Sequence, residues 1–297
     1  MSDLSGLSAD IDPTARFEVL PLARAEGEAQ QLQGRVRLTV TCSPKHGPDH
    51  SVQFAARLRE LGHAVTVHIA ARMVRDRAHL DELLGAMAQA SIDDLFLVGG
   101  DADPPLGAYG SAAELLGEIA GHPQRPAAVG ITGYPEGHPL IDEQTLQRAL
   151  LDKAAMADYV TTQMCFDPRT LRGWIEDQRR RGLRLPVQIG MPGQVAATRL
   201  LEMSARIGVG PSMAFLRKQR GPRALLGLVR RSAPERLYRA LAPEIGGSLG
   251  IAGFHYFTFN QLQATVAWHR AHAPAPVGAA PSASGPARAQ FAEQSRT

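Results

Sequence analysis

The strongest constraint on this chain is an alternation. Eight short β-type runs are separated by segments whose apolar residues recur at helical spacing. The runs are Arg16–Leu20, Val36–Cys42, Ala64–Ala70, Asp94–Val98, Ala127–Thr132, Asp158–Gln163, Pro186–Gly190 and Gly253–Thr258. Between them, Val52, Ala55, Ala56, Leu58 and Leu61 fall at three- and four-residue steps, as one buried helix face would. Leu80, Leu83, Leu84 and Met87 do the same. So do Ala112, Leu115, Leu116 and Ile119, then Leu146, Ala149, Leu150 and Lys153. Trp174 and Ile175 sit on a further segment, and Leu200, Leu201 and Met203 on another. Strand and helix alternating over roughly 250 residues is the pattern of an α/β (β/α)8 TIM barrel. An open doubly wound sheet is disfavoured because no Gly-x-Gly-x-x-Gly turn follows the first run.

The barrel is expected over residues 15–272, after a flexible N-terminus (1–14) and before a disordered tail (273–297). Leu171 to Arg184 ends on Arg179-Arg180-Arg181-Gly182, a cationic last turn with a glycine stop. Pro211 to Gly247 is longer than a simple connection and predicts extra helices before the last strand. Beyond Ala271 the chain turns Ala/Pro/Ser/Gly-rich, and such a segment buries too little apolar surface to offset its ordering entropy. Of the 297 residues, 44% are apolar, as in a globular protein, and the net charge is only +3. The basic excess is local (Arg179 to Arg181, Arg217, Lys218, Arg220, Arg223, Arg230, Arg231). Aromatic residues are 5% of the chain and no nucleic-acid module is seen, so a solvated helix face explains it. Cys42 and Cys165 lie far apart and outside any Cys-x-x-Cys pattern, which points to a reducing compartment with neither a disulfide scaffold nor a zinc site. The start of the chain lacks a secretory pattern, and no apolar run approaches a membrane span. A cytoplasmic protein is expected, without nucleic-acid or membrane partners. A homo-oligomer is allowed.

In such a barrel the active site forms at the C-terminal ends of the strands. Polar groups crowd those ends. Glu18 stands in the first run, where a carboxylate is costly unless it faces a polar cavity or a partner. Thr41 ends the second run, His68 lies in the third, and Asp101 follows the fourth. Gln163 ends the sixth. After the fifth comes Gly133-Tyr134-Pro135-Glu136-Gly137-His138-Pro139, which places a phenol, a carboxylate and an imidazole within five residues. One such group is more often a satisfied turn residue than a catalyst. Several converging on one rim point to a site for a small molecule, with no metal expected.

These motifs, in this order, resemble the methylenetetrahydrofolate reductase family. The resemblance runs from about residue 16 to about residue 270. It is carried by Phe17-Glu18, Gly100-Asp101 with Pro104-Pro105, Tyr134-Pro135-Glu136-Gly137-His138-Pro139, Thr162-Gln163 with Phe166-Asp167, and Tyr256-Phe257-Thr258-Phe259-Asn260. It implies an FAD-containing (β/α)8 barrel. That enzyme would reduce 5,10-methylenetetrahydrofolate to 5-methyltetrahydrofolate with NADH or NADPH. It further implies that Glu18 protonates the folate so that its five-membered ring opens. Asp101 would lie at the flavin pyrimidine edge and contact the pterin. Gln163 and Phe259 would bind substrate. Thr41, His68, Tyr109, Tyr134 and His138 would hold the flavin, and Lys153 would pair with its diphosphate. The chemistry agrees. Hydride transfer needs a cofactor, and protonating a weakly basic nitrogen suits a carboxylic acid in a partly buried setting.

The chain departs from the family at Val19-Leu20-Pro21-Leu22, where Phe-Phe-Pro-Pro is usual, and at Thr41-Cys42-Ser43, where Thr-Tyr-Gly is usual. Gly99 and Gln261 stand where arginines are usual. A flavin-free, NADH-dependent folate reductase and a non-catalytic folate- or flavin-binding paralogue therefore stand as alternatives.

Overall fold

The computed structural model describes residues 11–195 and 234–273. Eight parallel strands close into a barrel in sequence order. They are β1 (Ala15–Val19), β2 (Arg37–Val40), β3 (Ala64–Ala70), β4 (Asp94–Val98), β5 (Ala128–Gly133), β6 (Tyr159–Thr162), β7 (Val187–Pro192) and β8 (Ile251–Phe257). The barrel shuts where β8 pairs with β1, with Phe17 opposite Tyr256. The described helices are α1 (Ala23–Gln30), α2 (Gly47–Glu60), α3 (Arg77–Gln89), α4 (Ala112–Ala120), α5 (Glu143–Ala154), α6 (Pro168–Arg180), α7 (Pro234–Leu241) and α8 (Leu262–His272). None is long and apolar enough to cross a membrane.

All eight sequence-expected strands are present; β3 and β4 have the expected ends, and the others are moved by one or two residues. Period-two alternation explains the layering. Phe17, Val19, Leu38, Val40, Val65, Val67, Leu95 and Leu97 face outward into one apolar core with the helices. The alternate positions point into the barrel, and they are unusually polar: Arg16, Glu18, Thr39, Thr66, His68, Asp94, Tyr159, Gln188 and His255 are nearly all buried. Interiors of such barrels are ordinarily filled with branched apolar side chains.

Four of the helices begin on side-chain caps. Asp76 accepts from His79 N, Ser111 from Glu114 N, Asp142 from Thr145 N and Asp167 from Arg169 N, satisfying donors that the first turn leaves open. The Arg-Arg-Arg-Gly stop behaves as expected: α6 ends at Arg180, and Gly182 adopts φ +100°.

Several expectations need correction or lie elsewhere. Leu61 was placed on the buried face of α2 but is 39% exposed, because it is the C-cap residue and leaves the helical face there. Helix α1 has no apolar periodicity to announce it, since its composition (Ala-Arg-Ala-Glu-Gly-Glu-Ala-Gln) carries only Ala25 and Ala29 inward. The extra helices before the last strand are represented by α7 and a short 3-10 turn, Ala242–Glu244. The Leu200–Met203 segment, the cationic Arg217–Arg231 stretch and the tail from Pro274 onward lie outside the described residues.

Candidate active site at the C-terminal mouth of the barrel

Glu18 comes from the inward face of β1, one residue before the strand ends. Its backbone carbonyl accepts from Thr258 Oγ1 at 2.5 Å. Its carboxylate meets two imidazoles from other strands. His255 Nε2 lies 3.1 Å from Glu18 Oε2 and His68 Nε2 lies 4.0 Å from it. The glutamate side chain keeps 15% exposure, so the group opens toward the mouth while both rings are buried. The rings are nearly parallel, with centroids 6.3 Å apart, and His68 leans on Phe96 at 4.7 Å. Burial pushes His68 down to about 4, against the pull of Glu18 and with some help from His255. His68 is therefore neutral near pH 7, and its Nε2 has no hydrogen-bond partner. The three ligand atoms of Glu18, His68 and His255 lie within 4.8 Å of one another. One carboxylate and two imidazoles are also a donor set that divalent cations accept. Linear spacing hides this grouping because the residues come from β1, β3 and β8.

A strap positions the acid. Phe259 and Asn260 both adopt left-handed backbone, at φ +48° and +58°. Asn260 then reaches across to β1, accepting from Leu20 N at 2.8 Å and donating to Leu20 O at 3.3 Å. The Thr-Phe-Asn element thus ties the end of β8 to the end of β1. Phe259 itself is 7% exposed.

The remaining rim residues fall into two groups. Asp101 is exposed after β4. It lies near enough to Tyr134 that its charge adds to the effect of burial in pushing the phenol up, while a hydrogen bond with Thr132 works the other way. Tyr134 packs edge-to-face on His138 at 5.3 Å. Thr41 Oγ1 is buried without a hydrogen-bond partner, although Thr41 O accepts from Ser51. Gln163 N donates to Gly133 O at 2.7 Å, and its Oε1 accepts from Met164 N, which leaves the amide NH2 to donate elsewhere. The structure does not bring Tyr109 and Lys153 to this set. Tyr109 is buried, and the charges that bear on it are Glu118 and Arg77, with Asp76 and Asp81, from α3, its cap and α4. Lys153 is buried in the last turn of α5, toward the N-terminal face, where burial depresses its ammonium.

A hydrogen-bonded layer that the sequence did not single out lies beneath the mouth. Arg16, one layer below Glu18, donates to Asp94 at 2.5 Å and to Thr66 at 2.8 Å. Asp94 also accepts from Tyr159 at 2.8 Å. Arg16 and Glu18 share one strand face, a signal that was readable. His255 was readable too, inside the eighth run, but nothing local marks it as the partner of Glu18. Asp167 of the Phe166-Asp167 motif is a helix cap, bonded to Arg169 N and Thr170 Oγ1. Glu136 lies beside Cys165, whose thiol is pushed up to about 12, by burial first and by that carboxylate next.

Comparison with known proteins gives three results. The sequence model of the family described as Methylenetetrahydrofolate reductase matches residues 49–269. Methylenetetrahydrofolate reductase 1 of Schizosaccharomyces pombe is 28% identical over 82 residues, which is 27% of this chain and 14% of that protein. This chain thus matches only a small part of that relative's length. Among solved structures, a protein from Clostridium thermocellum, described as binding two copies of 5-methyl-5,6,7,8-tetrahydrofolic acid, superposes with a TM-score of 0.57. It is 12% identical, over 88% of this chain and 94% of that one, a likeness of fold.

Proposed function

Because the chain belongs to the methylenetetrahydrofolate reductase family, we propose that it reduces 5,10-methylenetetrahydrofolate to 5-methyltetrahydrofolate with NADH or NADPH as hydride source. The observation that carries this reading is the Glu18 carboxyl at the C-terminal mouth with His255 3.1 Å away. The reaction adds one hydride and one proton. The hydride goes to the methylene carbon, one carbon–nitrogen bond breaks, and the proton ends on the released nitrogen.

Glu18 is the proton donor in this reading. Its carboxyl is held in place by its own strand, by the Asn260 strap and by His255, so little reorganisation is needed when substrate arrives. His68 is neutral near pH 7 and adds no charge that would hold Glu18 ionised. Asp101 and the free amide NH2 of Gln163 present an acceptor and a donor to the pterin edge, whose amidine-like face offers donors and acceptors in turn. Phe259 is too enclosed to offer an open stacking face, so its contribution is to shape the floor of the pocket.

FAD fits part of the rim. Thr41 carries a buried hydroxyl with no partner among the described residues, and a side chain at Gly99 would meet nothing within 4 Å. Bound there, FAD would supply a two-electron carrier between nicotinamide and folate. A second reading, direct transfer from NADH to folate, is favoured by a different observation. Lys153, one of the expected flavin contacts, sits in the last turn of α5, away from the rim, Tyr109 is buried on the β4–α4 connection beside the start of α3, and Gly99 replaces an arginine. The visible spectrum of the purified protein decides between them. A flavin band with activity supports the first reading, and a colourless active protein supports the second. Absence of 5-methyltetrahydrofolate formation with either nucleotide, with FAD added, overturns both.

Glu18→Gln tests the acid. It keeps the shape and the acceptor for His255 but removes the transferable proton. Turnover is expected to fall by about two to four orders of magnitude, with nucleotide binding, read by fluorescence titration, unchanged. Equal loss of both would make Glu18 a structural residue.

A further inference from the structure

The opposite mouth of the barrel holds a polar cavity that the proposed chemistry does not use. Its volume is about 640 Å3, and its walls come from the starts of β2, β3 and β4, from the ends of α2 and α3, and from the Gln124–Ala127 segment. That volume is in the range of small-molecule sites.

The cavity is lined by a cation that has no partner among the described residues. Arg16 and Arg37 are register neighbours on β1 and β2 and both point into the barrel. Arg16 is neutralised by Asp94 and covered by the Tyr159 ring at 4.5 Å. Among the described residues Arg37 makes no ion pair and no hydrogen bond, and its Nε is buried without an acceptor. Burial and the neighbouring Arg16 charge push Arg37 down, while Asp94, Asp93 and Asp12 pull the other way from a distance. A second guanidinium lining the cavity, that of Arg59, has one nitrogen bonded to His63 O and its Nε buried without a partner. Both guanidinium groups are half-buried, a polar nitrogen left unpaired out of water is costly, and a planar carboxylate is a group that an arginine fork matches. Leu84, Met87 and Ile92 give the cavity an apolar wall. Asp93 and Asp94 line it as well, and their charge disfavours a doubly charged anion.

We propose that this N-terminal cavity is a second ligand site, taking a small organic acid with one carboxylate and an apolar body, with Arg37 as the anion-binding group. The site is independent of the reductase reading, since it lies at the other end of the barrel.

Benzoate is the probe, titrated calorimetrically into the full-length protein beside inorganic phosphate. Benzoate is expected to bind one to one, and phosphate not to bind. Arg37→Gln should weaken benzoate by roughly tenfold or more, the loss of one charge-assisted contact. Ala88→Phe, on the exposed side of α3, should block the cavity without touching Arg37 and abolish binding. Circular dichroism establishes that each variant is folded, and Ala88→Phe decides the matter if Arg37→Gln does not fold. No heat with benzoate, benzoate binding unchanged in a folded variant, or phosphate binding as tightly as benzoate would each overturn the proposal.

Discussion

Gly130 decides whether Tyr159 can cross the barrel. A side-chain carbon at Gly130 would lie 2.2 Å from the Tyr159 ring, and that ring must pass there to bring its hydroxyl to Asp94. Gly130→Ala therefore pushes on the hydroxyl-bearing end of the ring, and relieving the clash takes the Tyr159 hydroxyl away from Asp94. It should cost about 1–3 kcal/mol by overpacking, read as a lower denaturation midpoint. An unchanged midpoint would mean that Tyr159 has room to move and that its bond to Asp94 is dispensable. At this scale the sequence was a partial guide. Glu18, Asp101, Tyr134, His138 and Gln163 could be picked out as candidates because they stand at strand ends, where a polar group has little structural reason to be. His255 could not be singled out, because its importance is its distance to Glu18, and no local pattern encodes a contact between β1 and β8. Lys153 shows the converse limit. Its helical spacing correctly put it on a buried face, and spacing alone does not say toward which end of the barrel the helix carries it.

At the scale of elements, the last helix is tied to the barrel by a polar chain rather than by apolar contact alone. Tyr256 Oη meets His269 Nδ1 at 2.9 Å, and His269 Nε2 meets Asp12 at 2.7 Å. Burial alone would raise the Asp12 carboxyl, but hydrogen bonds from His269 and Thr14 outweigh it and hold the group at about 2, below its ordinary 3.8. A depressed folded-state value means that the carboxylate stabilises the fold fully above about pH 3.8 and that this contribution is lost as pH falls through 2. With the Asp12 side chain 37% exposed, solvent screening reduces the effect to about 1 kcal/mol. Asp12→Asn should be less stable than the parent by that amount at pH 7, and the gap should close toward pH 2, as followed by denaturant titration at several pH values. A gap independent of pH would assign the loss to packing. Neither this tie nor the Asn260 strap was visible as an element, since both join residues more than two hundred positions apart. The strands and most helices were visible, because each carries its own periodicity. Helix α1 was not, because a short helix of Ala, Glu, Gln and Arg has no apolar stripe to read.

For the whole molecule, the polar barrel interior is the feature that joins the two mouths. Glu18, His68 and His255 form its upper layer, Arg16, Asp94, Thr66 and Tyr159 the layer below, and Arg37 opens onto the N-terminal cavity. The alternation of strands and helices was enough to give the closed barrel, since few topologies accept eight such units. The filling of the barrel was harder to foresee. Charged residues on short strands read equally well as solvent-facing positions, and only closure turns them inward. A buried ion pair contributes little beyond its apolar equivalent, but breaking it leaves a charge without a partner. Arg16→Met should therefore cost about 3–5 kcal/mol, because Asp94 would keep only Tyr159 and Thr66 as donors. Arg16→Met with Asp94→Leu removes both charges, and it should recover a substantial part of that loss despite orphaning the two hydroxyls. Chemical denaturation of the parent, both single variants and the double variant gives the coupling between the two sites. A double variant no more stable than Arg16→Met would show that the hydroxyl network around Asp94, and not charge compensation, holds the interior in place.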